Sequence, residues 1–205
     1  RPPSSTLFPY TTLFRSALLL VVRQVRASRE TKAAKAYAEL AGAVSHEDFD
    51  RVAAAYPGTL VAQQAQLAAA QKLFAEGNYQ PAAERFAAAA AGQDETNALR
   101  ASLGQAQAGE ALGQDKDKTL QLFADAGRRA ATAGLIPEQV EALLGQARCH
   151  SRSGDLAKAR ELLGTAKEAV AGDPSLERLV TLATDALATR EFAAAPATAS
   201  VKAAE

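Results

Sequence analysis

Apolar positions recur along this chain in short, regularly spaced sets. Segments beginning at Leu67, Leu103 and Leu144 superimpose with leucine, alanine and glycine in register, as Leu67/Ala70/Gly77, Leu103/Ala106/Gly113 and Leu144/Ala147/Gly154. The successive offsets are 36 and 41 residues. After the first glycine, Ala82, Phe86 and Ala89 are spaced four and three, one stripe of a helix, and Ala159, Leu163 and Ala166 repeat that stripe. Each glycine stands where a first helix must stop in a left-handed residue. Asn78 or Asp155 follows as the turn or cap residue that starts a second helix. Ala70 and Ala147 fall at the crossing of the paired helices, where a larger side chain would push them apart. Each segment therefore predicts a helical hairpin.

The flanks extend the pattern. Ser45-His46-Glu47-Asp48 reads as a cap with an acidic first turn, opening a short helix to about Ala55. Tyr56-Pro57-Gly58 is a turn, and Thr59 caps the next helix. Asp173-Pro174 is a cap with proline at the first helical position, starting a helix that would cover the open end of a stack. Residues 193–205 are low in complexity and are expected to be disordered.

Composition narrows the fold class. Hydrophobic residues make up 48% of the chain, but much of that is alanine, the best helix former and a poor source of buried area. Tryptophan is absent and β-branched residues are sparse after residue 25. The expected class is all-α, with helices packed closely through small side chains. The 23 basic residues balance 23 acidic ones, which argues against a nucleic-acid partner. A lone cysteine, Cys149, excludes an intrachain disulfide.

The period and the small-residue positions carry a resemblance. Residues 67–91 resemble a tetratricopeptide repeat, whose period is about 34 residues, through Ala70, Gly77, aromatic Tyr79, Ala82, Phe86 and Ala89. The third segment is similar, with Leu156 in place of the aromatic; in the second, Asp115 and Lys118 stand where an aromatic and a small residue belong. The proline that often closes such a repeat is missing from all three. The resemblance implies a solenoid of helical hairpins over residues 45–192, clearest near 59–92, 95–133 and 137–171, with the last helix as a cap.

The chain's start reads differently. Back-translated, Thr6 to Ser16 spells a common short-read sequencing adapter, and residues 1–16 are expected to be an adapter-derived tail with the true start missing. Residues 17–44 then form an N-terminal helix. Its apolar run Ala17–Val22 is the end of a truncated membrane anchor on one reading, and the apolar end of a packing helix on the other. An apolar run, a charged helix, a YPGT turn at Tyr56–Thr59 and then repeats together resemble the membrane-anchored ancillary subunits of the bacterial Sec translocon. That resemblance implies a single-pass protein of the cytoplasmic membrane with an extracytoplasmic repeat domain. The basic residues Arg23, Arg26, Arg29, Lys32 and Lys35 directly after the run pull against this topology, since basic flanks stay cytoplasmic.

No constellation of catalytic residues emerges. Cys149 and His150 are adjacent on a helix and point about 100° apart, so the imidazole does not serve the thiol. His46 reads as a first-turn surface residue, Asp115 to Lys118 as a solvated helix start and Arg128-Arg129 as an exposed pair. No phosphate loop, nucleophile elbow or metal spacing appears, and neither an enzyme, a cofactor, a metal nor a small-molecule substrate is expected. What remains is a surface for proteins or peptides. First helices line the concave side of such a stack, which nominates Gln64, Leu67, Gln71 and Phe74, then Arg100, Leu103 and Gln107, then Leu144, Arg148 and Ser151. The competing reading of the leucines is that they simply bridge neighbouring repeats. The lysine-asparagine set with which related co-chaperones clamp a C-terminal carboxylate is lacking. The functional expectation is a membrane-anchored interaction scaffold near protein translocation or envelope assembly, with a soluble cytoplasmic adaptor as the alternative.

Overall fold

Turns and caps divide the chain into its elements. In the computed structural model Gly77 adopts φ +82°, its N–H bonds Phe74 O at 3.0 Å and the Asn78 N–H bonds Leu73 O at 2.9 Å. This is the left-handed glycine closure that satisfies the last carbonyls of a helix. Gly113, Gly134 and Gly154 repeat it with the same bonding pattern. The Asn78 side chain makes no cap hydrogen bond, so its part is in the turn alone. Elsewhere caps start the helices: Ser45 Oγ accepts from Asp48 N while Asp48 Oδ2 accepts from Ser45 N, and Thr59, Asp94 and Asp155 accept from the third residue of the helix each one opens.

The structure describes residues 10–170 and 172–194, with side chains described from 23 to 189 apart from 25 and 171. Within them run α1 (Tyr10–Gly42), α2 (His46–Ala55), α3 (Leu60–Ala75), α4 (Tyr79–Ala90), α5 (Glu95–Ala111), α6 (Lys116–Ala133), α7 (Ile136–Arg152), α8 (Leu156–Ala169) and α9 (Pro174–Ala194). The fold is an all-α, tetratricopeptide-like solenoid. Hairpins α3–α4, α5–α6 and α7–α8 are the three aligned segments. A further hairpin precedes them, because Ala36 near the end of α1 packs with Val52 of α2 and with Val61 and Ala65 of α3. The adapter-like segment falls partly in α1, from residue 10, and partly outside the described residues; of the expected disordered tail 193–205, residues 193 and 194 belong to α9 and the rest lies outside the described residues.

Stacking follows one rule, repeated. Each second helix packs against the next first helix, α4 on α5, α6 on α7 and α8 on α9. At two of these joints a phenylalanine ring fills the space a glycine leaves. Phe86 of α4 lies over Gly104 of α5, and Phe123 of α6 over Gly145 of α7; a Cβ added at either glycine would meet the ring at 2.3 Å or 2.4 Å. The second repeat keeps the stripe too, at Thr119, Phe123 and Ala126, all buried. It looked degenerate because its turn carries one extra residue, which moves Ala82's counterpart from Lys118 to Thr119.

The expected single-pass membrane protein with an extracytoplasmic repeat domain is corrected here. Among the described residues, no helix is long and apolar enough to cross a membrane. In α1 the apolar run Ala17–Val22 gives six residues and is followed by Arg23, Arg26 and Arg29, where a span needs about 20.

Candidate functional site

First helices meet one another in succession, α1 with α3, α3 with α5, α5 with α7 and α7 with α9, whereas among the described residues α4, α6 and α8 do not. The stack therefore curves with its first helices on the inside. Long polar side chains seven residues apart, two helical turns, point from three of them: Gln64 and Gln71 on α3, Arg100 and Gln107 on α5, Glu141 and Arg148 on α7.

Between α5 and α7 this face is closed by its own pairs. Arg100 Nε donates to Glu138 Oε1 at 2.8 Å, and Gln107 Nε2 to Glu141 Oε1 at 2.5 Å. Arg148 Nη2 bonds Glu110 Oε2 at 2.8 Å, while Arg152 Nη1 lies 3.0 Å from Glu110 Oε1. The Glu110 and Glu138 side chains are each only 8% exposed, so their arginines supply the compensation a buried carboxylate requires. Burial pushes the Glu141 carboxyl above its ordinary value, although the bond from Gln107 pulls it back in part. Burial alone would lower Arg148, but the hydrogen bonds and charge of Glu110 outweigh it and hold the guanidinium above its ordinary value.

Between α3 and α5 the face is open. Gln64 is half-buried and Gln71 exposed, and neither makes a hydrogen bond among the described residues. Beside them Phe74 is half-buried, its ring edge-on to Tyr79 at 5.1 Å and to Phe86 at 6.4 Å. The three nominated leucines lie deeper. Leu67 packs with Leu73, Ala82 and Phe86, Leu103 with Leu99 and Phe123, and Leu144 with Leu162 and Leu163. Leu103 is 1% exposed. Ser151 lines a cleft of about 420 Å³ between α7, α8 and α9, whose walls include Leu144, Arg148, Leu179 and Leu182.

Sequence reasoning passed over the carboxylates Glu110, Glu138 and Glu141. Their signal was available: in the register of the repeats, acids on one first helix stand opposite bases or amides on the next. Gln63 was missed as well. Buried beside the nominated row, it turns away from the inner face, donates to Ala89 O and Asp94 O and accepts from Asp94 N, which ties down the α4–α5 turn. Cys149 is buried; burial and then the Glu110 charge push its thiol up, away from the thiolate a nucleophile needs. Among the described residues no cluster of His, Cys, Asp and Glu could hold a metal ion.

No family model matches the chain, and no curated protein matches it. Solved structures do. The type III secretion translocator chaperone SycD of Yersinia enterocolitica aligns at 20% identity over 65% of this chain and 86% of its own, with a TM-score of 0.55. An alternative dimer of SycD aligns at 19% identity over 69% of this chain and 100% of its own, with a TM-score of 0.57. SycD in complex with a peptide of the translocator YopD aligns at 19% identity over 68% and 100%, with a TM-score of 0.56. What this chain shares with them is the fold, a stack of helical hairpins.

Proposed function

We propose that this chain is a non-catalytic tetratricopeptide adaptor that holds an extended segment of a partner protein along its inner face between α3 and α5. The observation that carries this reading is the change of character along that face. Its α5–α7 part is sealed by Arg100–Glu138, Gln107–Glu141 and Arg148–Glu110, whereas Gln64 and Gln71 on α3 have no hydrogen-bond partner among the described residues and stand beside a half-buried Phe74.

A carboxamide both donates and accepts, as a peptide backbone does. Seven helical residues rise about 10.5 Å, close to the rise of three residues in an extended strand, about 10 Å. Gln64 and Gln71 are thus spaced to hold main-chain groups three residues apart on a bound segment, with Phe74, about one turn beyond Gln71, offering an apolar surface to the side chain that follows. That SycD, of similar fold, has been crystallised with a peptide supports the same use of this scaffold.

A place beside a translocation machine rests on the resemblance carried by the apolar run, the charged helix and the Tyr56–Thr59 turn ahead of the repeats. The Tyr56–Thr59 stretch is accounted for by its turn, with Gly58 at φ +70° and Thr59 capping α3. An adaptor without that particular partner is therefore the better-supported reading.

Selection from a random peptide library against the full chain tests the proposal. Selected peptides are expected to lose at least roughly tenfold in affinity against the Gln64→Arg/Gln71→Arg double variant, the cost of about one lost pair of hydrogen bonds. They are expected to be unaffected by Glu84→Arg on the exposed side of α4. Binding indifferent to the double variant would refute the reading.

A further inference from the structure

Helix α9 stands to α8 and α7 as α7 stands to α6 and α5, that is, as the first helix of another hairpin. Its core-facing triad of Val180, Ala183 and Leu187 has the three-and-four spacing of Ala142, Gly145 and Cys149 in α7. Matched in this way, Leu182 falls where α7 has Leu144. The two leucines have opposite fates. Leu144, covered by α8, is 7% exposed, and Leu182, which no second helix covers among the described residues, is 59% exposed. Leu179 beside it is 46% exposed, and both open onto the cleft between α7 and α9.

The charges around this face define what fits it. At 100° per residue, Arg178 and Asp185 lie about 50° to one side of Leu182, and Leu179 and Ala186 about 50° to the other. Both Arg178 and Asp185 are exposed, and neither makes an ion pair among the described residues. The midpoints of the two flanking pairs lie half a residue either side of Leu182. A two-fold axis perpendicular to the helix keeps each flank on its own side and reverses the chain direction. Applied at Leu182, it sets Arg178 of each copy opposite Asp185 of the other and Leu179 opposite Ala186, with the two Leu182 side chains meeting on the axis. The patch is complementary to itself in apolar contact and in charge, which is what an isologous interface requires.

We infer that α9 is a homodimerisation surface, on which the antiparallel α9 of a second copy packs where a second helix of the same hairpin would lie. The pairs Arg178–Asp185, formed twice, set the register, and Leu179 and Leu182 enter the α7–α9 cleft. The surface is separate from the amide row of α3, so either proposal can fail without the other.

Sedimentation velocity of the full chain over a wide concentration range tests this directly. The wild type is expected to show a monomer–dimer equilibrium. Leu182→Asp, at an exposed position and checked for unchanged helicity, is expected to be monomeric throughout. Arg178→Asp and Asp185→Arg are each expected to weaken the dimer roughly tenfold or more, since each places two like-charge pairs in the interface. The double swap Arg178→Asp/Asp185→Arg is expected to restore it to within a few-fold of wild type. A monomeric wild type, a dimer indifferent to Leu182→Asp, or a double swap no better than the single variants would each overturn the inference. Protection of the cleft by residues 195–205 within a monomer would overturn it as well.

Discussion

The joint between α6 and α7 gives the sharpest quantitative handle on this stack. Gly145→Ala would place a methyl carbon 2.4 Å from Phe123 Cε1 and 2.5 Å from Cζ. Unstrained carbon contacts lie at about 3.5–4.0 Å, so the overlap exceeds about 1 Å. Phe123 has 0% exposure, so its ring cannot swing out into solvent without parting the helices. Relief requires an off-rotamer ring or a separation of α6 from α7, and overpacking of this kind costs about 1–3 kcal/mol. Against it stands the helix-propensity gain of alanine over glycine, about 0.5–1 kcal/mol. The net expectation is a loss of about 1–2 kcal/mol. Gly164→Ala in α8 isolates the gain alone, because a Cβ there meets nothing within 4 Å. It should stabilise by about 0.5–1 kcal/mol, leaving a gap between the variants of about 2 kcal/mol. Urea denaturation followed by circular dichroism reads that gap as a difference in midpoint of about 1 M. The reasoning is refuted if Gly145→Ala is as stable as the wild type, or if the two alanine variants shift the midpoint together.

Three further outcomes follow from single residues. Gln63→Ala leaves the Asp94 N–H without its partner, while Ala89 O and Asp94 O keep Gly92 N and Ala98 N; it should cost about 1–3 kcal/mol and show first as faster hydrogen exchange at the Asp94 amide. Glu141 has a raised carboxyl, so the native state binds its proton more tightly than the unfolded chain and loses stability as pH rises through the native value. Glu141→Gln should therefore raise the midpoint near neutral pH, and the advantage should vanish below the ordinary carboxyl value of 4.5; an advantage constant with pH would contradict the burial argument. Cys149, buried and pushed towards the thiol form, should react with Ellman's reagent in the native chain no faster than local opening allows, and at once in denaturant.

Much of this architecture was legible because its constraints are local. A left-handed glycine at 77, 113 and 154 announces a helix end without reference to anything distant, and Ala70 and Ala147 need only the crossing of two adjacent helices. The α6 register slipped by one position because nothing in the apolar pattern counts turn residues. The bonds from Asp117 N and Lys118 N to Asp115 Oδ1 show where α6 begins. The inner face was harder to read. Its orientation follows from the repeat, but whether Arg100 is free or paired depends on Glu138, thirty-eight residues along and one repeat away. The same holds for the leucines at 67, 103 and 144, whose depth is set by neighbours that the pattern does not name. Ala17–Val22 invited a membrane reading because hydropathy sees the run and not the helix around it. On α9, Leu179 and Leu182 form an apolar face beside the core-facing one of Val180, Ala183 and Leu187. A single-stripe reading folds the two faces together.

The central claim is that the open amide row on α3, rather than any other face of the solenoid, receives a partner segment. A photoreactive phenylalanine placed in turn at Gln71, Gln107 and Glu84, irradiated with a library-selected peptide and mapped by mass spectrometry, tests it most directly. The account predicts a strong adduct from position 71, a weaker one from 107, which lies on the part of the face that Arg100–Glu138 and Arg148–Glu110 still close, and none from 84. Equal labelling at all three positions, or labelling from 84 alone, would contradict it.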